Sequence, residues 1–284
     1  MHGLTAEQRA AANPYIGRKV PLGGMPSGVA RGAGGVGRTD VDAGLRQFML
    51  DVYGFMFAGM MLTGIVAFLT YAATVTTDPS LAYIDELGPW QITETEYLNP
   101  LGVLLWGTPI AYVVCFGPLV VCLLCGSVFR GCNPALSGVL FALIATLIGV
   151  SFSGLALTYT NASMTSVFFC TAAAFGSLSL YGYTTGKDLS GWGSFLWMGL
   201  FGVIVAAIFN LFLQSDALQF AVSSIGVIVF AGFTAYDTQM IKEAYSDRLD
   251  ERTASALAIN GALDLYLDFV NLFRFLLYFF GEQE

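Results

Sequence analysis

Charged residues are scarce in this sequence of 284 residues, since Asp, Glu, Lys and Arg together make up only 11% of it. Hydrophobic residues make up 56%. Soluble domains carry about 25% charged residues, so the composition excludes a soluble enzyme and indicates a membrane protein. Basic residues are the scarcer charged class, with 12 Lys and Arg against 20 Asp and Glu, and this balance excludes a nucleic-acid-binding protein.

Metal-ligating side chains are also few. The one histidine, His2, lies at the amino terminus and offers no metal site. Four of the five cysteines lie inside apolar segments, where a thiol behaves as a small hydrophobic group, and Cys132 stands alone in a short loop. The pair Cys122 and Cys125 lacks the second ligand pair of a zinc site. The sequence therefore predicts neither a disulfide scaffold nor a resident metal or cofactor.

Apolar segments, in contrast, are abundant and long. A helix that crosses a bilayer needs about 20 predominantly apolar residues, and seven segments meet this length. They cover residues 47–73, 101–125, 135–158, 164–183, 192–213, 217–236 and 254–280. Each is apolar on every face, which excludes the alternating strands of a β-barrel. We therefore expect an all-α membrane protein with seven transmembrane helices. Pro109 and Pro118 predict a kink in the second.

Basic residues predict the orientation of these helices. Eleven of the 12 flank the segments on one side, and loops rich in Lys and Arg stay in the cytoplasm. These are Arg9, Arg18, Lys19, Arg31, Arg38, Arg46, Arg130, Lys187, Lys242, Arg248 and Arg252. Seven helices then leave the amino terminus in the cytoplasm and the carboxyl terminus outside. The twelfth basic residue, Arg274, lies near the outer end of the last segment, where its side chain can extend to the headgroups.

The amino-terminal part of the chain differs from the rest. Residues 1–46 are rich in Gly, Ala and Pro and lack the apolar core of a signal peptide, so we expect a flexible cytoplasmic arm before a membrane domain of residues 47–284. A mitochondrial presequence is the alternative. Residues 32–37 match the dinucleotide-binding pattern GxGxxG, but no predicted strand precedes them, so we do not interpret them as a nucleotide site.

Four acidic residues lie inside or at the end of apolar segments: Asp51, Asp237, Asp264 and Asp268. Insertion of a carboxylate at the centre of a membrane helix costs about 2.5–3.5 kcal/mol, which makes such residues functional candidates. Solvation at the basic interface accounts for Asp51, and hydration in a wet vestibule accounts for Asp264. Asp237 ends the sixth segment, where the cytoplasm could solvate it. Asp268 could alternatively be a protonated structural residue that binds a neighbouring helix.

A polar stripe on the last helix favours a functional interpretation. Asp264, Asp268 and Asn271 are spaced by four and three residues, which places them on one face that must contact protein or water. Helical rise leaves an axial gap of about 6 Å between Asp237 and Asp268, which tilt could close. Two carboxylates in a low dielectric share a proton, and carboxylate and amide oxygens are ligands that Ca²⁺ prefers. We therefore predict transient calcium binding and pH sensing at Asp237 and Asp268, with Asp264 and Asn271 lining the pathway.

Three sequence motifs resemble the transmembrane Bax inhibitor motif family, including its bacterial YccA-like members. They are LRQFMLDVY at residues 45–53, AGFTAYDTQ at 231–239 and LDLYLDFVNLF at 263–273. The resemblance extends over residues 43–284. It implies a seven-helix bundle with the seventh helix central, and a pH-sensitive calcium leak controlled by aspartates that match Asp237 and Asp268. It also implies a gating arginine near the end of the second helix, for which Arg130 is the candidate. The long loop between helices six and seven and the acidic segment 77–97 depart from the family pattern.

Two hypotheses follow for the function. The first is a calcium leak pathway that responds to protons. The second is a regulatory protein that binds another membrane protein through its amino-terminal arm, as YccA-like members are thought to restrain a membrane-bound AAA protease. An enzyme is not expected, since residues 261–264 are Gly-Ala-Leu-Asp and lack the Gly-x-Gly-Asp signature of an intramembrane aspartyl protease. The expected location is the bacterial inner membrane, with an organelle membrane as the alternative.

Overall fold

The computed structural model describes residues 38–85, 88–129 and 133–282, without the side chains of residues 38–42, 123 and 125–129. Several predictions lie outside these residues. They concern the amino-terminal arm up to residue 37, its glycine motif, and Arg130 as a gating partner. All three stay predictions.

The described residues form eight α-helices, in agreement with the predicted all-α class. The helices are α1 Arg38–Thr74, α2 Pro100–Trp106, α3 Ile110–Phe129, α4 Pro134–Ser153, α5 Asn161–Thr184, α6 Gly193–Leu213, α7 Asp216–Ala244 and α8 Glu251–Phe280. Four two-residue strands lie between α1 and α2. They are β1 Val75–Thr76, β2 Ile84–Asp85, β3 Gly88–Pro89 and β4 Tyr97–Leu98. Strand β1 pairs with β4 and β2 with β3, both antiparallel, so the segment folds back over the ends of α1 and α2.

Within the part of the chain that the structure describes, five helices are long and apolar enough to cross a membrane. Their candidate spans are Ala43–Thr74, Pro134–Leu157, Asn161–Thr184, Ser190–Leu213 and Asp216–Ala244. Helices α2 and α3 count as a sixth span if they cross as one bent pair. Helix α8 has 30 residues but is not among the candidates, because its acidic and amide side chains and Arg274 reduce its apolar character. The count of seven spans, the central position of the last helix and the orientation of the termini therefore stay predictions.

The second predicted segment is interrupted where a kink was expected. Helix α2 ends at Trp106 and α3 begins at Ile110, with a bend of 59° between them. Pro109 lies in the break, and proline ends a helix because it lacks the backbone N–H and its ring clashes with the preceding turn. Within α3, Pro118 cannot donate to the carbonyl of Val114. The hydroxyl of Ser151 on α4 donates to that carbonyl instead, at 2.6 Å.

Two helices extend further than the hydrophobic pattern predicted. Helix α1 begins at Arg38 and not at residue 47, because a helix continues through polar residues beyond the apolar segment when no proline stops it. Helix α7 ends at Ala244 and not at residue 236. The prediction that Asp237 ends this helix was therefore wrong, since about two further turns follow it.

The surface of the bundle is apolar, whereas polar groups lie inside. Large hydrophobic side chains are widely exposed, for example Phe212 at 83% and Leu124 at 73%. Among the buried side chains are Thr63, Thr171 and Asp268. This distribution is the reverse of that in a soluble domain and suits a hydrocarbon solvent. Helix α8 packs against α1, α4, α5 and α7, and several of its residues, including Leu265, are fully buried.

Candidate functional site

Asp237 on α7 and Asp268 on α8 form a pair. Their carboxyl groups lie within hydrogen-bonding distance of each other. Asp268 is 4% exposed and Asp237 is half-buried. An ionised carboxylate only accepts hydrogen bonds, so a bond between these two groups requires that one of them carries a proton. The structure thus brings together the two residues predicted to sense pH, and their role in gating stays a prediction.

One oxygen of Asp268 is left without a donor. Its Oδ2 atom is buried, and no group in the described part of the chain donates a hydrogen bond to it. A buried polar atom without a partner costs about 1–3 kcal/mol, and a native structure that retains one has a reason to do so. A cation in contact with this atom would satisfy it. Stability alone therefore does not explain why Asp268 is buried at this position.

The other two residues of the predicted polar stripe, Asp264 and Asn271, differ in their exposure and contacts. Asp264, one turn before Asp268, is exposed, and its charge acts on both Asp237 and Asp268. Asn271 is half-buried, and its amide N–H donates to the carbonyl of Leu267 at 2.8 Å. Only the side-chain oxygen of Asn271 is then available to a cation. Among the described residues, no group of three or more His, Cys, Asp or Glu side chains could hold a metal ion, so transient calcium binding at the pair stays a prediction.

Glycines allow the helices around the pair to approach closely. A Cβ atom on Gly182 of α5 would overlap the backbone carbonyl oxygen of Ala235, two residues before Asp237. A Cβ atom on Gly261 of α8 would lie 3.0 Å from Cγ1 of Ile241 on α7. Both contacts lie close in sequence to the acidic residues. Because these glycines have no side chain, α5 and α8 can pack closely against α7.

A chain of hydroxyl groups, which the sequence analysis missed, joins α1 and α5 to α7. Tyr53 Oη lies 2.6 Å from Ser179 Oγ, which lies 3.0 Å from Thr238 Oγ1. Thr238 donates its proton to the carbonyl of Thr234, so it accepts from Ser179, and Ser179 in turn accepts from Tyr53. The chain ends one residue from Asp237. The available signal was the set of hydroxyl residues in apolar helices, but their partners lie far apart in sequence.

This hydroxyl chain also borders an open groove of about 710 Å³ between α1 and α5. Tyr53 and Ser179 line it together with Arg46 and apolar side chains, among them Met49 and Phe175. The hydroxyl of Tyr53 is therefore accessible from the surface of the bundle through this groove. From Tyr53, the hydrogen bonds continue through Ser179 to Thr238 on α7.

Tyr266 fixes the orientation of α8 next to the acidic pair. The side chain is fully buried, and its hydroxyl lies 2.6 Å from Thr63 Oγ1 on α1. Thr63 donates to the carbonyls of Gly59 and Ala145, at 3.0 and 3.1 Å, so its oxygen accepts the proton of Tyr266. The bond therefore joins α8 to α1 and α4. Since Tyr266 lies two residues before Asp268, this contact limits rotation of the segment that carries Asp268.

Nearly all of this architecture is matched by the model of a known family. The family model described as inhibitor of apoptosis-promoting Bax1 matches residues 45–284. The chain belongs to the Bax inhibitor family. The resemblance inferred from the three motifs is therefore confirmed, and the matched residues include both members of the acidic pair. The chain is an integral membrane protein.

Bacterial relatives cover nearly the whole family domain. An uncharacterized protein of Caulobacter vibrioides is 45% identical over 245 residues, which are 86% of this chain and 92% of that protein. The inner membrane protein YbhL of Escherichia coli is 40% identical over 245 residues, or 85% of this chain and 94% of YbhL. Protein RP147 of Rickettsia prowazekii is 38% identical over 243 residues, or 86% and 92% of the two chains.

In this Bax inhibitor family member, the end of α7 is tied to the loop that follows α5. Gln239 accepts a hydrogen bond from the backbone N–H of Leu189 at 2.7 Å and donates to the carbonyl of Lys187 at 2.8 Å. Lys242 donates to the carbonyl of Tyr183 at 2.7 Å, near the negative end of the α5 dipole. These contacts explain why α7 continues beyond residue 236. They also direct the Lys242 ammonium toward α5.

Asp51 and three of the tryptophans differ in their exposure. Asp51 is exposed and accepts a hydrogen bond from Gln47 at 2.9 Å, as expected for an interfacial acid. Trp192 and Trp197 are 57% and 63% exposed, as interfacial anchors would be. Trp106 differs, because its indole nitrogen is buried.

Proposed function

We propose that this protein forms a leak pathway for cations, above all Ca²⁺, in which the carboxyl pair of Asp237 and Asp268 senses protons and controls passage. The observation that carries this proposal is the contact between two carboxyl groups, one of them buried, inside a membrane protein. We further propose that the protein resides in the bacterial inner membrane, as the name of YbhL states for that relative.

The proposed mechanism follows from the charge of the pair. With one shared proton, Asp237 and Asp268 attract each other and hold α7 against α8. Loss of that proton leaves two negative charges in contact at low dielectric, and their repulsion favours separation of the helices. Protonation therefore changes the packing of two long helices. The aspartates act as titrating groups and catalyse no reaction.

Calcium suits the oxygen atoms that surround the pair. Ca²⁺ takes six to eight oxygen ligands in a flexible geometry, and carboxylate and amide oxygens are among those it prefers. Asp264 is exposed one turn before the pair, where its charge attracts cations. The oxygen of Asn271 lies about one turn beyond it. An ion would exchange among these groups in passing, without a resident site.

The test is calcium flux into liposomes that hold the purified chain and enclose a calcium indicator, measured from pH 6 to 8. We expect flux that changes with pH in the wild type and a flat profile for Asp237→Asn, because an amide does not titrate. Asp51→Asn is the matched control, since Asp51 is an exposed acid outside the pair, and it should keep the wild-type profile. Flux no greater than in protein-free liposomes at every pH would contradict the proposal. Regulation of a membrane-bound AAA protease would then be the hypothesis to test.

A further inference from the structure

A second cavity, of about 210 Å³, lies beside the break between α2 and α3. Its lining includes Trp106 at the end of α2, Ser151 and Gly154 near the end of α4, and Arg274 on α8. Arg274 is six residues beyond Asp268, or about 9 Å along the helix, and neither residue of the acidic pair lines the cavity. The cavity is therefore separate from the acidic pair.

Arg274 brings a positive charge to this cavity without a carboxylate to neutralise it. In the described part of the chain no acidic side chain forms an ion pair with it, and the groups whose electrostatic influence reaches it are Cys115 and Tyr159. Asp268, six residues earlier on the same helix, lies about 120° away around the helix axis. An arginine in a membrane helix is costly unless it is paired or reaches water. The guanidinium thus offers several donors to a group that the described residues do not provide.

Trp106 adds a second donor to the same cavity. Its indole Nε1 atom is buried, and no described residue accepts a hydrogen bond from it. The hydroxyl of Ser151 uses its proton on the Val114 carbonyl and so offers only lone pairs. None of the described residues that line the cavity is acidic. A positive charge and an N–H donor without a facing carboxylate are the chemistry that binds an oxyanion.

The irregular backbone nearby explains why there is space for a ligand. The break after α2 and the end of α4 at Ser153 meet here, and a Cβ atom on Gly154 would lie 2.9 Å from Cζ3 of Trp106. Non-helical backbone at membrane depth is tolerated where it is buried in protein or lines a cavity, and broken helices form substrate sites in transporters. A single water needs only about 10–15 Å³ of such volume, so the cavity can hold a polyatomic group.

We propose that Arg274 and Trp106 form a binding site for a phosphate-type oxyanion. The guanidinium of Arg274 contacts two of its oxygens, and the indole N–H of Trp106 donates to a third. Arg274 lies six residues before the end of α8, about 9 Å along the helix, so the site is close to the surface of the bundle. Two sources have this chemistry: inorganic phosphate in solution and the phosphodiester of a phospholipid headgroup.

The experiment uses the full chain in an uncharged maltoside detergent, which contains no phosphate. Inorganic phosphate is titrated calorimetrically in one arm, and phosphatidylglycerol is compared with diacylglycerol by native mass spectrometry in the other. We expect saturable binding of one phosphate-bearing ligand. Arg274→Gln and Trp106→Phe should each weaken it about tenfold or more, because each variant loses a hydrogen bond to a charged group. Arg248→Gln and Trp192→Phe change residues of the same types that do not line the cavity, and these variants should bind as the wild type does.

The outcomes separate the sources and can overturn the site. Binding of inorganic phosphate indicates a soluble anion, and binding of phosphatidylglycerol alone indicates a lipid headgroup. Arg274→Lys guards against misfolding of the Gln variant, because it keeps the charge but loses the two-pronged contact, and it should bind with intermediate affinity. Equal binding by wild type, Arg274→Gln and Trp106→Phe, or no saturable binding of either ligand by the wild type, would overturn the proposal. Neither result bears on the calcium leak.

Discussion

At the scale of single residues, the two carboxylates of α8 differ in environment although they lie one turn apart. Asp268 is buried against Asp237, whereas Asp264 is exposed. A buried acid in contact with another acid shares its proton, whereas Asp264 acts on the pair only through its charge. We therefore expect Asp268 to contribute to gating and Asp264 to contribute to the attraction of cations.

This difference gives the first prediction. Asp268→Asn should reduce or lock the calcium leak and flatten its dependence on pH, because an amide of nearly the same shape cannot share the proton. Asp264→Asn should lower the flux less and keep the pH profile, since it weakens only the attraction of cations. Liposome flux at several pH values, normalised to incorporated protein, measures both. A pH profile that survives in Asp268→Asn would mean that the pair has a structural role only.

The second prediction concerns the hydroxyl of Tyr266. Tyr266→Phe removes the bond to Thr63 and should lower the free energy of unfolding by about 0.5–1.5 kcal/mol, the usual contribution of one hydrogen bond. Tyr278→Phe on the same helix is the control, because the described contacts give the Tyr278 hydroxyl no hydrogen bond. Reversible unfolding in mixed micelles, followed by circular dichroism, measures the difference. Equal losses in the two variants would show that the Thr63 contact contributes nothing.

At the scale of helices, close packing depends on residues without side chains. Gly182→Ala should destabilise the protein by about 1–3 kcal/mol, because the new methyl group meets the backbone of α7 at Ala235, which cannot rotate away. Gly176→Ala on the same helix has open space around the added Cβ and should be neutral or stabilising, since alanine favours helices. Thermal denaturation in detergent compares the two variants. A smaller effect for Gly182→Ala than for Gly176→Ala would rule out a tight crossing of α5 and α7.

The start of α8 should respond to acid. Asp250 is the N-cap residue, and hydrogen bonds from the side chain and the backbone N–H of Thr253 hold the pKa of its carboxyl below the ordinary value. A pKa lowered in the folded state stabilises the protein above the unfolded value of about 3.9, and this contribution is lost as the pH falls through the folded value.

A matched variant isolates this contribution. Asp250→Asn keeps an acceptor for the Thr253 N–H but removes the titrating charge that favours a helix amino terminus. Wild type should be more stable than the variant at pH 7, and the difference should shrink below about pH 4. Melting temperatures of both proteins across this range test the expectation. A difference that is constant with pH would exclude the charge of Asp250 as its cause.

At the scale of the whole molecule, the orientation of the bundle remains to be measured. If α8 crosses the membrane, the carboxyl terminus lies on the side opposite to residues 245–250. We expect a reporter fused after residue 284 to be active only outside the cytoplasm, and one inserted between residues 245 and 250 to be active only inside, as the distribution of basic residues predicts. A carboxyl-terminal fusion that is active only in the cytoplasm would contradict seven spans.

The sequence alone determined the membrane location, the all-α class, the family and the residues of the acidic pair. Transfer of a helix into a bilayer depends on the composition of one contiguous segment, so a local pattern suffices to predict it. The prolines of the second segment also predicted a kink, and the structure has a break there between α2 and α3.

Only the tertiary structure decided how these segments contact one another. The extension of α7 to Ala244 depends on the bonds of Gln239 to the loop after α5, and the hydroxyl chain joins Tyr53 to Ser179 across 126 positions of sequence. The cavity at Arg274 exists because the ends of α2 and α4 meet beside α8. In a bilayer every helix is surrounded by apolar groups whichever way it turns, so hydropathy does not specify neighbours. Glycine contacts and buried hydrogen bonds, which depend on distant residues, select the packing.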